Sequence, residues 1–119
     1  MGMFTKFKEH KESLTPTEVF KEPLMLALYK LGGKARLDVL LARVSDYMEL
    51  SEEDLRPSRF YNIGGCKYYF RAEQAINIMR WSGEMQREHT SRGPDFIVLT
   101  GKGRTHVRAK LPGVRGEAR

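Results

Sequence analysis

Between Lys67 and Arg104 the chain sets three kinds of segment in an order that few small folds accommodate. Tyr68, Ala72, Ala75, Ile76 and Met79 recur at about 100° per residue, so Lys67 to Ser82 is predicted to be a helix with one apolar stripe. The opposite side carries Lys67, Phe70, Glu73, Gln74, Asn77 and Trp81, with Arg71 and Ile78 at one boundary and Arg80 at the other. Gly83 supplies the stop. Two β-like runs follow, Glu84 to Glu88 and Phe96 to Leu99, joined by a segment rich in turn formers (Ser91, Gly93, Pro94, Asp95). Leu99-Thr-Gly-Lys-Gly-Arg104 closes the stretch, with Thr100 placed to cap a last turn of helix from Gly101.

Upstream, Thr15-Pro16-Thr17-Glu18 reads as a helix start: a Thr cap, a Pro suited to the first turn and an acid three residues on. Phe20, Leu24, Ala27, Leu28 and Leu31 continue at helical spacing until Gly32-Gly33, and Pro23 requires either a kink or a true start near Glu22. Leu37, Leu40, Leu41 and Val44 predict a second helix over Leu37 to Met48, with Asp38, Arg43 and Asp46 outside. Ser51 followed by Glu52, Glu53 and Asp54 predicts a third, short start, and Pro57 to Cys66 has the composition of a loop. Residues 1–14 are expected to form a flexible lead-in, 15–109 the domain and 110–119 a flexible basic tail.

With 119 residues and 40% apolar content, the chain suits one domain. Its formal charge of +6 is unevenly placed. Residues 1–55 hold eight Lys and Arg against ten Asp and Glu, a net of minus two; residues 56–119 hold thirteen against five, a net of plus eight. A cationic surplus in the half that carries helix and hairpin fits a polyanion, because each cation meeting a phosphate releases condensed counterions. One cysteine, Cys66, excludes an intramolecular disulfide and a Cys-rich zinc site. No leading signal or long apolar run is seen, so a soluble cytoplasmic protein is expected, with no membrane association.

Catalytic patterns are weak. His10, His89 and His106 are far apart, no acidic pair has metal-ligand spacing, and the paired glycines lack the length and lysine of a phosphate-binding loop. Pro94-Asp95 is better read as a turn, and Cys66 as an unreactive, partly buried thiol. The expectation is a non-enzymatic protein with no metal and no cofactor.

Taken together, these segments predict a small α+β winged helix-turn-helix domain, a three-helix core with a β-hairpin wing. The expected function is binding of double-stranded DNA, as a transcriptional regulator or a DNA-targeting module. The recognition helix would lie at about 69–82 and the wing at about 84–99. Arg71, Gln74 and Asn77 carry groups for base edges; Arg59, Lys67, Arg87 and Arg92 would hold the phosphate backbone, with Ser91 assisting at the wing. Phe70, on the same polar side, is counted among the DNA-contacting residues, with packing against the preceding loop as its alternative, and Trp81 is expected to pack against the hairpin. A homodimer on a two-fold site is compatible with this plan, although no heptad helix specifies one. The alternative is a winged-helix protein-interaction or assembly module, for example a subunit of a restriction or regulatory complex, with Phe70, Trp81 and the wing forming its patch.

From about Phe20 to Val107 the chain also resembles the N-terminal winged-helix domain of Mrr-type restriction endonucleases. The resemblance is carried by Pro23-Leu24 with Leu28, Leu50-Ser-Glu-Glu53, Pro57-Ser58, Arg71-Ala72 with Ala75, Ser82-Gly83, and Arg92-Gly93 ahead of Phe96 to Gly103. Gln74 stands where that family has Trp, Arg59 where it has Gly, and the loop before the helix is longer. The resemblance implies DNA targeting, with a sensitivity to modified bases as a looser implication. It does not imply cleavage, because the nuclease domain of those proteins has no counterpart in this sequence.

Overall fold

The first helix begins later than its Thr-Pro signal implies, because Thr15 is engaged elsewhere. In the computed structural model, which describes residues 13–58 and 65–110, the Thr15 amide and hydroxyl both donate to the Asp54 carboxylate (2.8 and 2.5 Å). Pro16 occupies the cap position without a side-chain cap bond, and a 3-10 turn, Thr17–Phe20, leads into α1, Lys21–Lys30. Pro23 is the third residue of α1, where its missing N–H would have no intrahelical acceptor, so no kink is needed. Gly32 and Gly33, with φ of 94° and 92°, turn the chain out of the helix in a conformation that L side chains rarely adopt.

Those glycines feed a strand that sequence patterning does not anticipate: β1, Lys34–Arg36. Three residues with only Ala35 buried give too short an alternation to register as a period. α2 follows over Leu37–Arg43 and tightens into a 3-10 turn, Val44–Asp46, so the α-helix stops short of the expected Met48. Val44 is still fully buried, which is why the apolar spacing runs past the end of the α-helix. α3, Glu52–Leu55, carries a complete capping box: Asp54 N–H donates to Ser51 Oγ, and Ser51 N–H donates to the Asp54 carboxylate.

α4 spans Tyr68–Trp81, and all five apolar positions expected to face inward, Tyr68, Ala72, Ala75, Ile76 and Met79, are buried. Tyr68 stacks on Phe20, ring centroids 6.0 Å apart, and donates its hydroxyl to the Leu41 carbonyl at 2.7 Å. Burial raises the Tyr68 pKa well above the ordinary phenol range, so this donor stays protonated. Gly83, φ 88°, reverses the chain into β2, Met85–Glu88, and β3, Phe96–Leu99, follows.

The three strands form one antiparallel sheet in the order β1-β3-β2. Lys34, Ala35 and Arg36 pair with Val98, Ile97 and Phe96, while Met85 to Glu88 pair with Leu99 back to Phe96. Ala35, Ile97, Met85 and Leu99 therefore turn one face of the sheet inward. α5 occupies Gly101–Lys110, a full helix where one turn was expected, with Thr100 Oγ1 accepting from Gly103 N–H at 3.1 Å. The central element is α1, which touches α2, α4, α5, β1 and β3. The result is an α+β domain of five α-helices and one three-stranded sheet among the described residues. Residues 1–12 of the expected lead-in (1–14), 111–119 of the expected tail (110–119) and the loop residues 59–64 lie outside them, while Lys110 closes α5.

Candidate nucleic-acid interface

Because the apolar stripe of α4 faces the core, helical phase turns Phe70, Gln74, Asn77 and Trp81 outward, and all four are exposed. Arg71, half-buried at the boundary, has no carboxylate partner among the described residues. Trp81 corrects an expectation: it does not pack on the hairpin but is 92% exposed. Met79 takes the last inward position of α4, and Trp81, two residues on, points about 200° away from it. Phe70 (53%) and Ile78 (43%) are exposed as well, so the outward face carries three large apolar groups among its polar ones. Ile78 was legible only as a boundary position, and its exposure follows from the same phase.

The two amides on this face are each anchored through oxygen. Gln74 Oε1 accepts from the Thr17 hydroxyl at 3.1 Å, and Asn77 Oδ1 accepts from Arg80 Nη1 at 3.2 Å. Each keeps an NH2 group for outside acceptors. Donors of this kind match the N7 and O6 of guanine, the N7 of adenine or the O4 of thymine.

Several cations picked out in the sequence already have partners. Lys67 forms a salt bridge to Glu53, which also pairs with Arg56 at 3.4 Å. The Lys67 hydrogen bond holds the Glu53 carboxyl below its ordinary pKa. Arg87 has a different occupation from the backbone contact expected of it. Its Nε and Nη2 reach one oxygen of Asp95 at 2.7 and 2.6 Å, and its Nη1 lies 3.7 Å from Glu73 of α4. Asp95 also meets His89 Nδ1 at 3.1 Å. The Arg87 hydrogen bond, with His89 assisting, lowers the Asp95 pKa. Arg87 thus closes the hairpin where its strands enter the connecting loop and ties it to α4, the three side chains being only 18%, 21% and 26% exposed. This is where an ion pair contributes orientation, because the groups are partly desolvated and the geometry is multidentate.

At the hairpin tip, Ser91 and Arg92 are exposed, and Arg92 has no carboxylate partner among the described residues. The turn beneath them is closed by the Thr90 hydroxyl donating to the Pro94 carbonyl at 3.0 Å. Arg59 lies outside the described residues. Between α4 and β2 runs an open groove of about 570 Å³ lined by Arg80, Trp81, Met85, Gln86 and Arg87. Sequence reasoning passed over Gln86 because a lone glutamine on a four-residue strand carries no pattern.

Among the described residues no group of three or more His, Cys, Asp or Glu side chains is placed to hold a metal ion. His106 comes nearest to a cluster, with Nδ1 3.3 Å from Glu84 and Nε2 3.6 Å from Glu22. No helix among them is long and apolar enough to cross a membrane. No protein-family model, curated protein or solved structure matches the chain.

Proposed function

We propose that this protein binds double-stranded DNA through a winged-helix arrangement and performs no chemistry on it. α1, α2 and α4 would form the three-helix core, α4 would enter the major groove, and the β2–β3 hairpin would rest on the phosphate backbone. One observation carries the reading. The outward face of α4 presents Arg71 with the amide NH2 groups of Gln74 and Asn77, beside a hairpin that Arg87 clamps to the same helix. Arg71, Gln74 and Asn77 are the groups assigned to base edges. Arg92 and Ser91 are the groups assigned to phosphate, whereas Lys67 is engaged by Glu53. The net charge of plus eight in residues 56–119 supplies the long-range attraction.

A second reading has an observation behind it too. Phe70, Ile78 and Trp81 are exposed on one helix, and exposed apolar groups of this size mark protein contacts in many domains. A protein-docking role alone leaves the concentration of positive charge unexplained, which places it second.

The test is selection from a pool of random duplexes, comparing the native chain with Arg71→Ala and Gln74→Ala. Each loss of a base contact is expected to cost about 1 to 3 kcal/mol and to relax preference at one position. If the native chain enriches no sequence, and neither variant differs from it, base reading by α4 is wrong.

A further inference from the structure

Trp81 is the only tryptophan of the chain and ends α4 almost wholly in solvent. Its indole makes no ring contact with any described residue. Arg80, bonded to Asn77, lines the same groove as the indole, and Lys102 donates to the carbonyl of Ser82, the next residue along the chain; neither cation has a carboxylate partner among the described residues. The adjoining groove adds Gln86 and an edge of Met85. An exposed flat ring beside an open groove, with cations near the same end of the helix, is the composition of a single-strand binding site: bases stack on the ring and the backbone follows the charges.

We propose that Trp81 stacks on an unpaired nucleobase, so that the site takes duplex DNA carrying a single-stranded overhang in preference to blunt duplex. This rests on the duplex reading of the same helix and extends it. Arg71 to Asn77 span about 9 Å of helix, which fits within a major groove about 12 Å wide. Trp81 lies about 6 Å further along, beyond the groups assigned to base edges. A base still inside the duplex is stacked on both faces and offers none to an indole, whereas a base beyond the duplex end does. A docked apolar helix is the poorer occupant, because Gln74, Asn77 and Arg80 interrupt the apolar line between Phe70 and Trp81.

Trp81 emission reports on this site without any label, so the full-length chain is titrated with three probes: a blunt duplex, the same duplex with a short thymine overhang, and inorganic polyphosphate. The overhang is expected to quench emission strongly and to bind roughly tenfold tighter than the blunt duplex, the effect of one stacked base. Polyphosphate, which has charge but no bases, should leave the emission nearly unchanged. In a parallel anisotropy assay Trp81→Leu should bind the blunt duplex as the native chain does and lose the tenfold preference. An exposed side chain makes this substitution compatible with folding.

Equal affinity and equal quenching with blunt and overhanging DNA overturn the proposal. So does a Trp81→Leu chain that keeps the preference, or one whose self-association changes while its DNA binding does not, which assigns the indole to a protein contact. Binding of the blunt duplex without any overhang preference leaves duplex binding standing and removes the stacking site. Binding and quenching by the overhang alone, with no blunt binding, does the reverse.

Discussion

Alanine at Gly103 is expected to destabilise the domain by about 3 kcal/mol, the upper part of the usual range for overpacking. A methyl group there would press into the backbone carbonyl oxygen of Glu84 and lie 2.6 Å from Leu99 Cδ1. A carbonyl fixed at the start of β2, itself bonded to Thr100 N–H at 3.1 Å, cannot swing aside as a long side chain does. α5 would have to lift from the sheet, exposing Val107, which is fully buried. A change of this size lowers Tm by roughly 10 to 20 °C in a domain of about 100 residues. Gly101→Ala is the control. It stands two residues earlier with nothing within 4 Å of its added carbon, so alanine there should be neutral or slightly stabilising. Thermal melts of the two variants separate close packing from a general effect of alanine in α5.

Removing the carboxylate of Asp54 is expected to cost a similar amount, about 3 kcal/mol. Asp54 is fully buried and accepts from three donors: the Thr15 amide, the Thr15 hydroxyl and the Ser51 amide. Asp54→Ala strands these donors and abolishes the capping box of α3. It also releases the segment that leads into α1, since Ser51 Oγ holds the Ser13 carbonyl at 2.7 Å from the same corner. Urea unfolding measures the loss. A value below about 1 kcal/mol, the size of an ordinary cap alone, would show that Asp54 does not hold the chain entry to α3.

What the sequence made legible, and what it did not, divides along a physical line. The inward face of α4 was legible because five apolar residues at one phase leave no alternative face to bury. The Ser51 cap was legible because Ser51 directly precedes a run of acids suited to a first turn, although the reciprocal bond from Ser51 N–H to Asp54 that completes the box was not read from it. β1 was not, since a three-residue strand has no measurable period and its partner β3 lies some sixty residues on. The Thr15 contact was hidden for the same reason: its acceptor is 39 residues away, so a local cap was the only reading available.

Arg87 and Trp81 teach a finer lesson about the candidate site. Arg87 and Asp95 are brought together by the hairpin register, in which Arg87 faces Ile97 and Glu88 faces Phe96. A cation counted as available for phosphate becomes a clamp once that register is known. Trp81 was misjudged because its size favoured burial, whereas its phase on the helix, already visible in the spacing, placed it outside.

The claim that this helix and hairpin meet duplex DNA is tested most directly by the salt dependence of binding. The measurement is fluorescence anisotropy of a labelled duplex titrated with the native chain, Arg92→Ala and Arg87→Ala, between about 50 and 200 mM salt. The native chain is expected to weaken steeply with salt, and Arg92→Ala to weaken binding to all sequences alike with a log-log slope shallower by about one. Arg87→Ala should lower affinity by loosening the hairpin while keeping the native slope, because Arg87 is spent on Asp95 and Glu73 rather than on phosphate. No binding at low salt, or a native slope that Arg92→Ala leaves unchanged, would contradict the account.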